Sequence, residues 1–186
     1  MFFYFSLNPD ENVPGSENKL RPVMAFESST WDGKEMYSAE RCIDGVLQSD
    51  RSTDMCHTLA EPAPWVAISF ADYGHVFAVG SVVLFQRLDC CWWRTRNVEI
   101  RLADEMPKSA QKMFSGGELL GTFAGPAKKG QKVEIHSAPG WEKKFGRYLI
   151  IQMNNGKEPL NLMEVLAFGN IKSEGMYKHN IWHTLE

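Results

Sequence analysis

The sequence predicts an all-β sandwich. Its apolar residues occur in short runs that are rich in β-branched and aromatic side chains. Clusters of Gly, Pro, Asn and Asp separate these runs, as is typical of strands joined by turns. Long helical periodicity is absent, so the pattern favours two packed sheets over a helical or mixed fold.

Seven segments have the composition of strands, and turn-forming residues border them. In chain order they are 65–70, 78–85, 98–102, 119–123, 132–135, 147–153 and 160–167. The residues flanking Val76 mix polar and apolar types, so no strand is predicted there. A single helical turn is predicted at 38–42. The segments before about Met24 and after about Gly169 are predicted to wrap around the sandwich or to lead to neighbouring domains.

Length and charge narrow the class of protein. A chain of 186 residues can bury a substantial core, so one domain is predicted for 1–186. A net charge of −3 and a pI near 6.0 give no general attraction for phosphate backbones, which argues against a nucleic-acid partner. No apolar run approaches the roughly 18–20 residues of a membrane span. Residues 1–7 lack the basic start and cleavage site of a signal peptide.

The most informative segment is 87–94, Arg-Leu-Asp-Cys-Cys-Trp-Trp-Arg. Adjacent Cα atoms lie about 3.8 Å apart, whereas an ordinary disulfide spans roughly 4.4–6.8 Å. A Cys90–Cys91 bond would therefore close a strained ring, and strain of this kind tends to occur at functional sites. The ring would offer a flat sulfur face between the hydrogen-bond donors of Arg87 and Arg94, which suits a sugar. The alternatives are two unrelated thiols and ordinary surface arginines.

Together with His57 upstream, Arg87-x-Asp89-x-x-x-x-Arg94 resembles the signature of the F-type lectins, or fucolectins. Further matching elements are Ser28-Ser29, Ile43-Asp44-Gly45, Cys56-His57-Thr58, Pro64-Trp65, Gly146-Arg147-Tyr148 and the closing run from Leu160 to Val165. The similarity covers about 24–168. Several of these elements are shared with the wider discoidin-like sandwiches and bear on fold alone, whereas Arg-x-Asp-Cys-Cys with a second Arg is more specific.

The resemblance implies a jelly-roll sandwich whose ligand-binding loops lie at one end. It also implies a role for each site residue. His57 would bond the axial 4-hydroxyl of fucose, Arg87 and Arg94 would reach the ring oxygen and neighbouring hydroxyls, and a Cys90–Cys91 cystine would stack on the sugar carbons. Asp89 would hold an Arg in place by a bidentate pair. Without the resemblance, a lone loop His is usually a solvated side chain.

Three tryptophans are candidates for the same site. Trp92 and Trp93 stand where the family more often has small or polar residues. They either extend the site towards a second sugar, or one ring is core and the other contacts a membrane or a protein partner. Trp31 stands where the family often has an apolar wall for the sugar's methyl group, and a buried core role is the alternative.

The resemblance further implies a structural Ca²⁺, which requires oxygen ligands. Asp44 and Glu164 match the two carboxylate ligands. The remaining ligands in the family are mostly main-chain carbonyls, and these map onto Arg41, Val46, Asp54 and Met163. Arg41 departs from the family's Asn and brings a positive charge. The alternative is that Asp44 is a turn residue and that Glu164 is an exposed edge-strand charge.

Two cysteines remain once the vicinal pair is assigned. In the family, a disulfide usually joins the loop just before the site histidine to the strand that carries the late glutamate. The second of these positions is Met163 here, so that disulfide cannot form. Cys42 and Cys56 either bond to each other, closing a short loop worth roughly 3 kcal/mol, or remain buried thiols.

The predicted function is non-enzymatic recognition of terminal fucose, or a similarly configured sugar, on glycans or glycoproteins outside the cell. No convincing acid–base pair, phosphate loop or catalytic metal motif is found. Disulfides require an oxidising compartment, so the chain is expected to be a fragment or a mature form. The alternatives are a discoidin-like adhesion module for a protein or anionic membrane, and an accessory sugar-binding domain of a larger enzyme, toxin or gamete-surface protein.

Overall fold

The structure is a computed structural model that describes residues 18–47, 51, 53–154 and 156–173. Within these residues the regular structure is mostly strand. The strands are β1 (Asn18–Lys19), β2 (Met24–Glu27), β3 (Cys56–His57), β4 (Trp65–Ser69), β5 (His75–Phe85), β6 (Val98–Ala103), β7 (Glu118–Phe123), β8 (Lys132–His136), β9 (Tyr148–Met153), β10 (Asn161–Leu162) and β11 (Glu164–Ser173). Short 3₁₀ helices span Trp31–Gly33, Glu35–Tyr37, Ala39–Cys42, Trp92–Arg94 and Trp141–Lys143.

The strands form two antiparallel sheets and one small ladder. One sheet has the order β1-β11-β5-β8 and the other has the order β2-β4-β9-β6-β7, while β3 pairs with β10. Buried side chains from both large sheets belong to one cluster, so the sheets pack face to face. The prediction of an all-β sandwich is therefore confirmed.

The core lies between the two sheets. Val66 and Ile68 of β4 belong to the same cluster of buried side chains as Phe77 and Leu84 of β5. Burying each such side chain stabilises the fold by roughly 1.5–3 kcal/mol. The core thus provides a rigid frame for the loops at its ends.

A second apolar layer covers the outer face of the five-stranded sheet. There Trp65 and Ile150 pack with Ala110, which comes from the segment between β6 and β7. The Gln152 side chain fixes this segment, because its Oε1 accepts the Phe114 N–H at 2.7 Å. Since β4 and β9 are covered on both faces, their sequences are continuous apolar runs rather than alternating ones.

The predicted strands differ from the observed ones at several boundaries. The strand predicted for 160–167 is two strands, because the chain leaves the β3 ladder and joins β5 at Met163, where no Gly or Pro marks the change. The strand predicted to begin at 78 begins at His75. β1 pairs with β11, and β11 continues to Ser173, so the sandwich extends beyond 24–168 on both sides. The helical turn predicted at 38–42 is confirmed as Ala39–Cys42.

Topology brings several loops to one end of the sandwich. Phe85 at the end of β5 is paired with Glu164 and with Lys132, the first residues of β11 and β8. The loop 86–97 follows β5 directly. The beginning of β5, near Phe77, lies at the opposite end, where it pairs with Gly146. Across the described residues, no helix has the length and apolar content needed to cross a membrane.

Candidate functional site

His57 is held by the two-residue strand β3, opposite Asn161 of β10. The residue is only 6% exposed. Its ring Nδ1 lies 2.8 Å from the carbonyl oxygen of Thr58. A carbonyl can only accept, so Nδ1 is the donor, and Nε2 of the neutral ring is left as an acceptor. The local backbone therefore sets the tautomer of this imidazole.

The positive charges of Arg87 and Arg94 act on the His57 imidazole. Burial lowers the pKa of His57 to about 4, and the positive charges of Arg87 and Arg94 contribute to the lowering, while the bond to Thr58 opposes it. His57 is therefore neutral near pH 7. The structure thus brings His57 of β3 near Arg87 and Arg94, which share the loop 86–97.

Arg87 is buried and its guanidinium is fixed by Asp89. Its Nε and Nη2 donate to the two carboxylate oxygens at 2.7 and 2.6 Å. This pair holds the pKa of the Asp89 carboxyl below its ordinary value. The predicted role of Asp89 as the holder of an arginine is what the structure shows. Two of the five guanidinium N–H donors are used in this pair, so others can serve a ligand.

Cys90 and Cys91 form a disulfide between neighbours, with Cα atoms 3.8 Å apart. Both residues are half-buried. Cys91 adopts a left-handed conformation, with φ of 64°, and the Trp92–Arg94 helix begins immediately after it. The Arg94 N–H donates to the Cys91 carbonyl at 3.1 Å. The vicinal disulfide is thus built into the turn that carries Arg94.

The site loop is anchored at both ends. Thr95 donates its hydroxyl to Gln86 Oε1 at 2.7 Å, and both side chains are buried. The carbonyls of Thr95 and Arg87 accept N–H groups from Ala127 and Gly130 of the loop that precedes β8. These bonds limit how far the two arginines can move apart.

Glu158 is a neighbour of Arg94 that the sequence did not reveal. Its Oε2 lies 3.3 Å from Arg94 Nε, and its Oε1 lies 3.0 Å from Arg96 Nη2. It comes from the loop between β9 and β10, more than sixty positions from Arg94. No local motif points to this contact, because only the strand topology brings the loops together.

Two aromatic rings lie beside His57. The centroids of Trp31 and His57 are 4.7 Å apart, and Tyr37 lies 6.0 Å from the same imidazole. Trp31 is 40% exposed, so the alternative of a core residue is wrong. Tyr37 was missed by the sequence analysis, since it lies in a segment of mixed polarity without a motif.

Trp92 and Trp93 pack edge to face, with centroids 5.3 Å apart. Trp93 is 44% exposed, and Trp92 is half-buried. Neither ring belongs to a core cluster. The alternative in which one of these rings is core is therefore wrong, and both are positioned next to Arg94.

Comparison with known proteins bears on the fold. No protein-family model matches the chain. The pentraxin fusion protein of Xenopus laevis is 31% identical over 157 residues, which are 84% of this chain and 34% of that protein, so the chain spans about a third of its relative. The F-lectin, or fucolectin, from striped bass (Morone saxatilis) serum superposes with a TM-score of 0.64 at 22% identity, over 82% of this chain and 49% of that one. The lectin domain of lectinolysin, solved with Lewis B antigen, gives a TM-score of 0.58 at 24% identity, over 79% and 92% of the two chains.

The chain has the fold of the F-type lectins.

The two carboxylates predicted from the sequence as metal ligands, Asp44 and Glu164, both contact the turn 44–46. Glu164, at the start of β11, accepts the Gly45 N–H on Oε2 at 3.1 Å, and Asp44 Oδ1 accepts the Val46 N–H at 2.9 Å. Glu164 is only 2% exposed. The alternative that it is an exposed charge on an edge strand is therefore wrong. Burial, and then the charge of Asp44, raise the pKa of Glu164 to about 7.

These two carboxylates suit a hard cation, because a positive charge would offset both their repulsion and the burial of Glu164. Arg41 opposes it, since its Nη1 lies 3.5 Å from Asp44 Oδ2. Among the residues described, no group of three or more His, Cys, Asp or Glu side chains could hold a metal. A cation would therefore need main-chain oxygens, as the mapping onto Arg41, Val46, Asp54 and Met163 requires.

The second disulfide joins Cys42 to Cys56, next to His57. Its Cα atoms are 5.2 Å apart, within the ordinary range. The sequence left this pairing open against two buried thiols, and the structure shows the bond. It ties the Ala39–Cys42 helix to the strand that carries His57.

Proposed function

We propose that this chain is a non-enzymatic lectin domain that binds terminal fucose, or a similarly configured sugar, on glycans or glycoproteins outside the cell. The observation that carries the proposal is the topology at one end of the sandwich: β10, which pairs with His57, is followed at once by β11, which pairs with Phe85 next to the loop of Arg87 and Arg94. The positive charges of both arginines accordingly contribute to the lowered pKa of His57. The names of the structures that share the fold, a fucolectin and a lectin domain with a fucosylated antigen, agree with it.

The chemistry of the three side chains matches neighbouring hydroxyls. A hydroxyl can donate to Nε2 of neutral His57 and accept from a guanidinium at the same time, since it is both donor and acceptor. Arg87 and Arg94 supply only donors, so they suit the ring oxygen and the lone pairs of adjacent hydroxyls. Trp31 and the Cys90–Cys91 disulfide offer apolar and polarizable surfaces for the carbon face of the sugar.

The same residues are poorly suited to hydrolysis of a glycosidic bond. A glycosidase generally needs two carboxyl groups that flank the bond, one of them with a raised pKa. Asp89 has a lowered pKa and is bound to Arg87, and Glu158 is paired with Arg94 and Arg96. These carboxylates hold arginines in place, which supports binding without catalysis.

A glycan array tests the proposal. We expect binding to fucose-terminated glycans and loss of binding to the same glycans after removal of fucose. Uniform binding to both sets, or binding to none, would contradict it.

Trp93 supports a second candidate, adhesion to a membrane surface, because it is a large exposed ring at a loop. Vesicles of phosphatidylcholine with phosphatidylserine test it in the absence of glycan. Membrane adhesion predicts that the protein sediments with these vesicles and that Trp93→Ala does not.

We also propose that Asp44 and Glu164 hold a structural Ca²⁺. Bound calcium would supply positive charge beside a buried carboxylate, and the chain's own part is to keep the two carboxylates close through the Gly45 and Val46 N–H groups. A ligand that binds only the folded state at 100 times its Kd stabilises it by about 2.7 kcal/mol. We expect a chelator to lower Tm in the parent and to leave Tm of Asp44→Asn/Glu164→Gln unchanged. An unchanged Tm in the parent would contradict the proposal.

A further inference from the structure

Two exposed lysines, Lys128 and Lys129, lie on the loop that anchors the site loop. The N–H groups of Ala127 and Gly130 on either side of them donate to the carbonyls of Thr95 and Arg87. The lysines are therefore carried on backbone that is bonded to both ends of the proposed sugar site. These backbone hydrogen bonds hold the two lysines next to the proposed sugar site.

The lysines are also next to the tryptophan pair. Lys129 Nζ lies 5.9 Å from the centroid of Trp92, which is within the range of a cation–π contact. Trp92 in turn packs against the exposed Trp93. An aromatic surface and a positive charge thus adjoin the site on the side of Arg94.

The two lysines form no ion pair within the part of the chain that the structure describes. By contrast, Arg87 pairs with Asp89, and Arg94 and Arg96 share Glu158. Among the described residues, no carboxylate lies within 4.0 Å of Lys128 or Lys129, whereas Lys144 pairs with Glu118. Positive potential therefore remains beside the site of a chain whose net charge is −3.

We propose that the natural ligand is a fucosylated glycan that carries an acidic group, a sulfate or a carboxylate, on the sugar next to the terminal one. This inference rests on the proposed lectin function. Trp93 stacks against the apolar face of that second sugar, and the Lys128 and Lys129 ammonium groups bind its acidic group. Exposed ion pairs contribute modestly and are weakened by salt, so the lysines add preference rather than the whole of the affinity.

Calorimetry with three matched oligosaccharides tests the inference. One is a neutral fucosylated glycan, one carries a sulfate and one carries a sialic acid carboxylate on the adjoining sugar. We expect the parent protein to bind at least one acidic glycan roughly three- to tenfold more tightly than the neutral one, corresponding to two exposed ion pairs. The acidic glycan that binds more tightly shows whether the site prefers a sulfate or a carboxylate. The preference should shrink as ionic strength rises.

The variant Lys128→Gln/Lys129→Gln should lose this preference and keep its affinity for the neutral glycan. The control is Lys143→Gln/Lys172→Gln, which removes the same charge at the opposite end of the sandwich. Lys172 pairs there with Val76 at the start of β5, and Lys143 ends the short helix just before Gly146, which pairs with Phe77. The control should keep the preference. Its loss in both variants would show a general effect of net charge and overturn the inference.

The remaining outcomes separate this inference from the function on which it rests. Equal affinity of the parent for the neutral and acidic glycans overturns the inference and leaves the lectin function standing. Failure to bind any fucosylated glycan rejects the lectin function itself. Binding to phosphatidylserine vesicles that requires Lys128 and Lys129, without a preference among glycans, would assign the lysines to a membrane instead.

Discussion

Both disulfides adjoin the proposed sugar site, but they hold different things together. Cys42–Cys56 is fully buried and closes a loop between residues 14 positions apart. Cys90–Cys91 is half-buried and joins neighbours. Because stabilisation by a disulfide grows with the size of the loop it closes, the first is expected to stabilise the fold. The second closes almost no loop, so its value lies in the shape of the turn between Arg87 and Arg94.

Removal of the buried disulfide should produce the largest change in stability. We expect Cys42→Ala/Cys56→Ala to lower the free energy of unfolding by about 3 kcal/mol, as the loop-entropy relation predicts. Affinity for fucose, measured where the variant is fully folded, should change less than threefold, since the arginine loop is untouched and His57 keeps its pairing with Asn161 and its bond to Thr58. Urea unfolding followed by Trp fluorescence measures the first quantity and calorimetry the second. Unchanged stability would remove the distinction between the two disulfides.

Removal of the vicinal disulfide should lower the affinity for fucose and leave the free energy of unfolding almost unchanged. We expect Cys90→Ser/Cys91→Ser to change the free energy of unfolding by less than about 0.5 kcal/mol. Affinity for fucose should fall roughly tenfold, because the ligand must now order side chains at about 0.5–1.5 kcal/mol each. Fucose affinity equal to that of the parent would contradict the role in the site. Mass spectrometry of never-reduced protein provides a separate check, since two alkylatable thiols at these positions would show that the bond is absent.

Acid should weaken binding in a small and specific way. A sugar hydroxyl that donates to Nε2 requires neutral His57, whose pKa is lowered to about 4 by burial and the two arginines. We expect constant affinity from pH 7 to 5 and a twofold loss near pH 4, where half of the rings are protonated. An imidazole with an ordinary pKa would show this loss near pH 6.5. Calorimetry across this range distinguishes the two.

The same shift has a consequence for stability. The unfolded state binds a proton on His57 near pH 6.5 and the folded state only near pH 4. The stabilisation from the neutral buried ring is therefore complete above about pH 6.5 and is lost progressively as pH falls towards 4. Binding at low pH must be measured together with the fraction of folded protein.

The sequence predicted those contacts whose partners lie close along the chain. Arg87 and Asp89 are two residues apart, so one motif contains both members of the pair. The fold class followed from short apolar runs and their turns. The change of sheet at Met163 was missed because β10 and β11 form one continuous apolar run without a turn residue.

Contacts between residues that are far apart along the chain could not be predicted from the sequence. The pairing of Arg94 with Glu158, the approach of Tyr37 to His57 and the burial of Glu164 all depend on how distant strands are ordered. The pairing of Cys42 with Cys56 stayed open for the same reason, since bond formation depends on the separation of two Cα atoms in space.

The most direct test is titration of free fucose into the parent, His57→Ala, Arg94→Ala and a control, Arg101→Ala. Arg94 is preferred to Arg87 because Glu158 keeps Arg96 as a partner after the change, whereas removal of buried Arg87 would leave Asp89 without its arginine. Arg101 also pairs with a glutamate, Glu99 at 3.0 Å, but in the middle of β6. We expect the parent and the control to bind equally, and each site variant to lose at least about fivefold in affinity, since a lost hydrogen bond at such a site costs about 1–3 kcal/mol. Parent-like binding by both His57→Ala and Arg94→Ala would contradict the claim that these side chains form a sugar site.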